Sequence, residues 1–574
     1  MTLGAWLVPR GASSPGDPGA AEQMTTDAGL AILRPGARDA VLRGNGFVAS
    51  WTPGIAADAW TLPRPPTVRE ARAGALLVAT PEGLSITRGP YGGRPLYYMH
   101  RGSMVLVSST LLGLVGTLPE RPAFNADRLG AIGLAKVGLD PRATVYQGVY
   151  RVLPCETVTF TANGGRSSFA LPRQPETPRG GAEAHATLLR EGISAAIARC
   201  TAPFSAVGVF TGGGLDSSGL LALVREHARR RGGLRFTGVS FDFGGPGDDR
   251  PHLMALLELL GATALRITPG EVGSVRPGFF VQDAAPYSWP SCACEVLAAR
   301  RATAWGADVL MTGAGGDDVL DGNEGRFAER VRTGDPLGAL ADAARLQLYG
   351  TESAPARIQS LIVQPLLRPH VPRRLLRRRR LAWLRHREVW RWAGPRLRPR
   401  LADYFEGAEP EDDWLTGFAL SHELMEMSDA RGQSEAATRL PWVDPYLDPT
   451  LVELAASLPA DELFHDHRQR GLFRLAMKGL FPESLRLRSD KASFEPLFGA
   501  VFAGAVRGHS FRALASMEAT ADLGLVLPGP FRSTLDQIAG GEAMPRGWLE
   551  VWPMLAVEGF LRSDGRSGVA EGEA

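Results

Sequence analysis

Short apolar or alternating runs dominate the first 163 residues. Beyond them, apolar runs that end in glycine loops and continue as helices take over. Gly4–Val8, Gly74–Ala79 and Ser103–Ser108 are bounded by glycine, proline and charge, which predicts short strands. Residues 164–182 are rich in glycine, proline and arginine and read as a linker. A helix is predicted from Ala184 to Arg199, then buried strands at Val207–Phe210 and Arg235–Phe241. A helix over Pro251–Leu260 and a strand over Ala264–Ile267 follow. Strands alternating with helices predict a doubly wound parallel sheet that binds its ligand at the carboxyl ends of the strands. Residues 319 to about 405 read as helical and basic, and 563–574 as a polar, disordered tail. The expected division is therefore 1–163, linker 164–182, and a larger α/β domain over 183–562.

Length changes this picture only by requiring more than one core, since 574 residues exceed an ordinary single domain. The formal charge of +2, a start without a basic region and the lack of an apolar run long enough for a bilayer point to a cytoplasmic protein with no membrane span. Cys155, Cys200, Cys292 and Cys294 are too few and too scattered for a disulfide framework. The basic residues are almost all arginine, with lysine only at 136, 478 and 491. Arginine concentrates over Pro372–Leu384, with Trp383, Trp390 and Trp392 nearby. That segment admits three readings: a solvated helix face, a groove for an acidic or peptide partner, or a nucleic-acid patch. Near-neutral overall charge and the lack of a nucleic-acid module disfavour the last.

Candidate chemistry centres on Val207–Ser218, where a strand passes through Thr211, Gly212, Gly213 and Gly214 into Leu215, Asp216, Ser217 and Ser218. Strand, glycine loop and helix start present backbone N–H groups and a helix dipole to phosphate oxygens. No lysine is present for a Walker loop, and the glycines are out of register for a dinucleotide fingerprint. The run looks like the pyrophosphate loop of enzymes that split ATP between its α- and β-phosphates. In that reading Ser217 and Ser218 donate to pyrophosphate and Asp216 holds Mg²⁺. Gly212 stands where such loops carry a serine, and Thr211 is the neighbouring hydroxyl. The bland alternative is a βα turn with no ligand. A second strand-to-glycine turn, Ala307–Asp318, brings Gly313, Gly315, Gly316 and two carboxylates, Asp317 and Asp318, which could also simply cap the following helix.

These stretches resemble the asparagine synthetase superfamily. Thr87–Tyr98 is similar to the R-D-x-x-G-x-R-P-L-Y-Y segment of its glutaminase domain, with Gly89 in place of aspartate. Ala143–Val158 is similar to that domain's last strands. Thr438–Asp448, Gly471–Pro482 and Leu485–Phe494 are similar to segments of the synthetase domain. The resemblance implies an αββα amidotransferase-like sandwich followed by an ATP-pyrophosphatase-type parallel-sheet domain with added helices. It also implies a site made of the first loop, the strand end Val239, Ser240 and Phe241, and the second loop. Asp317 would complete the Mg²⁺ site with Asp216, and Lys491 would stabilise the reacting phosphate or carbonyl; a surface lysine is the alternative. Thr2 replaces the N-terminal cysteine nucleophile, which points to a retained scaffold without ammonia supply. Ala314 replaces the family's catalytic glutamate. With the Arg-rich segment, these departures look most like lasso-peptide cyclases. Such enzymes adenylate an Asp or Glu side chain of a leader-processed peptide and close a ring on its N-terminal amine. That reading implies ATP and Mg²⁺, a peptide substrate, and a leader peptidase with its recognition module as partners. A β-lactam synthetase, an ammonia-dependent asparagine synthetase and a non-catalytic nucleotide-binding scaffold are the alternatives.

Overall fold

The computed structural model describes residues 73–101, 104–136, 138–242, 248–268, 271, 281–288, 292–321, 325–347, 353–406, 414–490, 513–539 and 547–563, with the backbone of strands at 4–8, 22–26, 29–34, 40–44 and 47–53. In the first part of the chain, strands β1 (Gly4–Val8), β2 (Glu22–Thr26), β3 (Gly29–Arg34), β4 (Ala40–Gly44), β5 (Phe47–Pro53) and β6 (Ala73–Thr80) precede β7 (Gly83–Arg88), β8 (Tyr97–Arg101) and β9 (Met104–Ser108). Then come β10 (Val149–Arg151), β11 (Glu156–Thr161) and β12 (Gly164–Phe169). They form two six-stranded sheets, in the orders β10-β8-β9-β1-β3-β2 and β12-β11-β7-β6-β5-β4. Alternation turns Leu77, Ile86, Val158 and Phe160 of one sheet toward Val105 and Val107 of the other, and these close a common core.

One outer face of this sandwich carries helices. Tyr97, Met99 and Leu106 pack under α1 (Leu111–Val115) and α2 (Ala126–Gly133) in a second core. The same core takes in a helix near the end of the chain, Gly547–Arg562. Gly133 lets that helix approach, because a Cβ there would lie 2.3 Å from Met554 Cε. The opposite outer face carries Ser85–Thr159 and Thr87–Thr157 hydroxyl pairs at 2.9 Å. Beside these hydroxyls the same face buries Leu76 and Val78 of β6, which alternate with Ala75, Leu77 and Ala79 of the shared core. The expected linker begins late. Residues 164–169 return along β11 as an exposed edge strand, the chain turning at Gly164 with φ +113°.

The second part is built on β13 (Ala206–Phe210), β14 (Arg235–Phe241), β15 (Ala264–Ile267), a small antiparallel pair β16 (Val281–Gln282) and β17 (Ala285–Pro286), then β18 (Val309–Met311) and β19 (Trp442–Val443). The order β15-β14-β13-β18-β19 is parallel throughout. Its strands are near-continuous apolar runs because both faces are covered. On one face α3 (Ala182–Thr201), α4 (Leu215–Arg231) and α5 (Arg250–Leu260) bury Leu189, Leu220 and Leu256 with Val207 and Val309. On the other, α6 (Cys292–Trp305) packs Ala298 and Ala302 on Val239, Leu310 and Trp442. The order reverses at β13, whose neighbours β14 and β18 carry the chain to opposite sides, and the loops after β13 and β18 therefore border the cleft. The loop after β18 runs into α7 (Gly316–Asp321), and the expected Arg-rich helix forms as α8 (Arg373–Leu384). Among the described residues no helix is long and apolar enough to cross a membrane.

Candidate active site

The loop after β13 is shaped by close approach. Gly213 has φ +93°, and a Cβ there would sit 2.5 Å from the Asp249 carbonyl oxygen. Thr211 is fixed through its backbone, its N–H donating to Val239 O at 2.8 Å. Gly214 caps α4 without a side chain, so the first N–H groups of the helix face the cleft. Ser218 is fully buried and its Oγ has no hydrogen-bond partner among the described residues; Ser240 Oγ, at the end of β14, is in the same state. Two buried hydroxyls without partners next to a bare helix start are a costly arrangement in a closed core and a natural one at a phosphate site.

The loop after β18 reaches the first one. Gly313 lies where a Cβ would be 3.4 Å from Ser217 N, and Gly316 where it would be 2.7 Å from Asp216 Cγ. Gly315, at φ +82°, leaves room for Leu447. Gly316 thus removes a side chain that would push the two loops apart, and Gly315 one that would displace Leu447. Thr312 hydrogen-bonds Asp444 through its hydroxyl, and the same oxygen accepts from Ala314 N at 3.2 Å. Burial pushes the Asp444 carboxyl above the ordinary range, although Arg431 opposes it.

Both predicted acids meet on one cation. Arg470, only 2% exposed and in the left-handed conformation, directs Nη1 to Asp216 Oδ1 at 3.2 Å. Its Nη2 bonds Asp317, and its Nε faces Asp321 Oδ1 at 3.4 Å. Tyr446 OH donates to Asp216 O at 2.9 Å and fixes the first turn of α4 from outside the loop. A third arginine buttresses the glycines: Arg488 donates from Nη1 to Gly213 O at 3.1 Å and pairs with Asp249 at 2.7 Å. The chain three residues before Lys491 therefore lies against the first loop, while Lys491 itself lies outside the described residues.

Val239, Ser240 and Phe241 are buried at the end of β14, beside the loop. The sequence reading missed Arg470, Arg488, Asp249, Tyr446 and Asp444. Arg470 and Arg488 were indistinguishable among so many arginines. Asp444 stands in a quoted motif that also supplies strand β19, which escaped detection because two residues carry no periodicity.

A helix, α9 (His422–Thr438), ties this site to the sandwich. Its Asp429 accepts from Arg88 at 3.1 Å and Arg151 at 2.8 Å, and its Glu426 from Arg151 and Arg128 at 2.7 and 2.6 Å. On the same helix Arg431 stacks on Trp442 and donates to Thr312 Oγ1 at 3.3 Å. Glu426 is held below the usual carboxylate range; burial opposes this, and Arg128 and Arg151 prevail.

A sequence-family model described as asparagine synthase matches residues 188–562, well over half the chain. The chain belongs to the asparagine synthase family. A curated relative, asparagine synthetase [glutamine-hydrolyzing] 3 of Bacillus subtilis strain 168, is 20% identical over 433 residues, 71% of this chain. The chain spans 64% of that relative's length. Among solved structures, glutamine phosphoribosylpyrophosphate amidotransferase from B. subtilis, complexed with ADP and GMP, aligns over 55% of this chain and 81% of its own at 11% identity, with a TM-score of 0.20. A structure titled as the allosteric regulatory enzyme of purine biosynthesis aligns over 47% and 80%, with the same identity and TM-score.

The residues fit the ATP and Mg²⁺ that such a family uses. Among the described residues no cluster of three or more His, Cys, Asp or Glu side chains could enclose a metal alone. Mg²⁺ in nucleotide sites takes one or two carboxylates and completes its shell with phosphate oxygens and water, which Asp216 and Asp317 suit.

Proposed function

We propose that this asparagine synthase family member joins a carboxylate to an amine within one peptide, as lasso-peptide cyclases do. An Asp or Glu side chain of a leader-processed peptide attacks the α-phosphorus of ATP, and the bond to the β-phosphate breaks to release pyrophosphate. The peptide's N-terminal nitrogen then attacks the acyl carbon, AMP leaves with the C–O bonding electrons, and one proton departs from nitrogen. A macrolactam results. A leader peptidase with its recognition module would supply the substrate.

The observation that carries this reading is the convergence of the β13 and β18 loops, with Asp216 and Asp317 on one guanidinium and the Ser218 hydroxyl unpartnered beside them. That arrangement of donors and acids supports the ATP-pyrophosphatase reading. Asp216 and Asp317 would hold Mg²⁺, which supplies charge neutralisation at the leaving pyrophosphate. The backbone N–H groups after Gly214, with Ser217 and Ser218, would bind the phosphates, and Lys491 would stabilise charge on the reacting phosphate and carbonyl. The peptide choice follows from what the sequence lacks. With Thr2 at the nucleophile position and Ala314 in the second loop, glutamine-derived ammonia is disfavoured as the amine. The curated relative, a glutamine-hydrolyzing asparagine synthetase by name, favours a second reading, asparagine formation, for which this chain would take free ammonia.

Mass spectrometry separates the two. With MgATP and short peptides bearing a free amine and an acidic side chain, the cyclase reading expects loss of one water with AMP and pyrophosphate. Asparagine from aspartate and ammonia, with no dehydrated peptide, would overturn it. Lys491→Ala should keep ATP binding and lose turnover.

A further inference from the structure

The Arg-rich helix α8 plays no part in the site just described. Residues 368–400 hold thirteen arginines and one acid, a net +12; the whole chain carries +2, so all other residues together sum to −10. Within α8 the inward side is accounted for: Leu384 is buried, Arg377 lies 3.4 Å from Asp403, and Arg380 lies 3.4 Å from Glu406. On the outward side Trp383 alone has such partners among the described residues, its ring edge-on to Phe405 at 5.9 Å and under the Arg387 guanidinium at 5.1 Å. At 100° per residue, Arg374, Leu375, Arg378, Arg379, Ala382 and Trp383 share that side. Arg374, Arg378 and Arg379 are exposed and have no acid in reach among the described residues, while Leu375 is 43% and Trp383 48% exposed. No acidic residue stands in the first turn, so Arg374 meets the positive end of the helix dipole. Arg374 and Arg378 repel each other at i, i+4. Left to itself, this surface is electrostatically unfavourable, and an anion would relieve it.

We propose that the outward face of α8 docks an acidic segment of a separate polypeptide. The apolar positions form a narrow row flanked by guanidinium groups, the pattern for an extended or helical peptide with alternating carboxylates and a few apolar side chains. A membrane surface would call for a broad apolar face, which α8 instead turns into the protein. A long nucleic acid would leave a patch about 18 Å long and run over a negatively charged remainder. The inference is independent of the ligase reaction and is tested without it.

The probe is a fluorescein-labelled peptide of about twelve residues, matched to the length of α8, rich in glutamate with interspersed leucines. Anisotropy with the full chain should report binding that weakens with added salt. The triple variant R374Q/R378Q/R379Q should lose affinity about 10-fold or more, and Trp383→Ala about 3-fold. Because these side chains are exposed, the variants should fold, and R378E/R379E should shift preference to a lysine-rich peptide. Undiminished binding by the triple variant would overturn the proposal. So would tighter binding of oligothymidylate or of phosphatidylserine vesicles than of the peptide. Binding that appears only after Glu409, Glu411, Asp412 and Asp413 are neutralised would assign the face to the chain's own acidic run.

Discussion

Arg151 in the sandwich and Arg470 in the parallel-sheet domain are both about 2% exposed and both face more than one carboxylate. Their surroundings differ. Arg151 joins Glu426 and Asp429, whose side chains are 29% and 15% exposed, in a cluster that Arg88 and Arg128 complete. Arg470 joins Asp216, 15% exposed, to Asp317, which is 59% exposed and stands next to loops whose glycines keep the cleft open. A cation among acids that are already saturated holds two domains in register. A cation whose acids remain reachable holds them in place for a partner that arrives later. The sandwich meets the parallel-sheet domain through the first kind of contact, and the two glycine loops meet each other through the second.

Breaking each cation's acids should therefore give opposite signatures. Asp317→Asn should reduce AMP formation about 10³-fold with little change in melting temperature, measured by coupled AMP release and calorimetry. Arg151→Met, which leaves Glu426 to Arg128 and Asp429 to Arg88 alone, should cost about 1–3 kcal/mol of stability in denaturant unfolding while the folded fraction keeps its KM for ATP. A large melting shift for Asp317→Asn together with a pure activity loss for Arg151→Met would reverse the comparison.

A third test sharpens the sandwich side. Asp283 caps α1, accepting from Leu111 N and Leu112 N at 2.9 Å each, and burial pushes its pKa up to about 7. An unfolded aspartate titrates near about 3.9. Between these values the folded state binds the proton more tightly, so this group's contribution to stability falls as pH rises from about 4 to 7. Asp283→Asn should flatten that slope in thermal melts taken across the window. The smallest effect belongs to Thr2→Ala: if the sandwich supplies no nucleophile, ligase turnover stays within about twofold of the parent, whichever amine is used.

Much of this contrast was legible in the sequence, and unevenly so. The strands over 235–241 and 264–267 were readable because buried parallel strands are unbroken apolar runs with glycine or charge at their ends. Gly213, Gly315 and Gly316 were readable as loop residues, but the reason for each became clear only when Asp249, Leu447 and Asp216 were found against them. Arg470 carries the electrostatics of the site and was invisible, since one arginine among many in a helical stretch has no local mark and its partners lie about 150 and 250 residues away in sequence. Strand β12 was read as linker because glycine and serine dominate an exposed edge as well as a tether. The sandwich was expected from resemblance, and its two stacked sheets with helices on one outer face are what the described residues show of it.

The central claim is that Asp216 and Asp317, 101 residues apart, serve one ATP site. Calorimetric titration of the full chain with Mg²⁺ and a non-hydrolysable ATP analogue, across Asp216→Asn, Asp317→Asn and the double variant, tests it most directly. A shared site predicts that each single change weakens Mg²⁺-dependent binding and that the double change weakens it no further than the worse single one. Fully additive losses, or binding untouched by either substitution, would contradict the account.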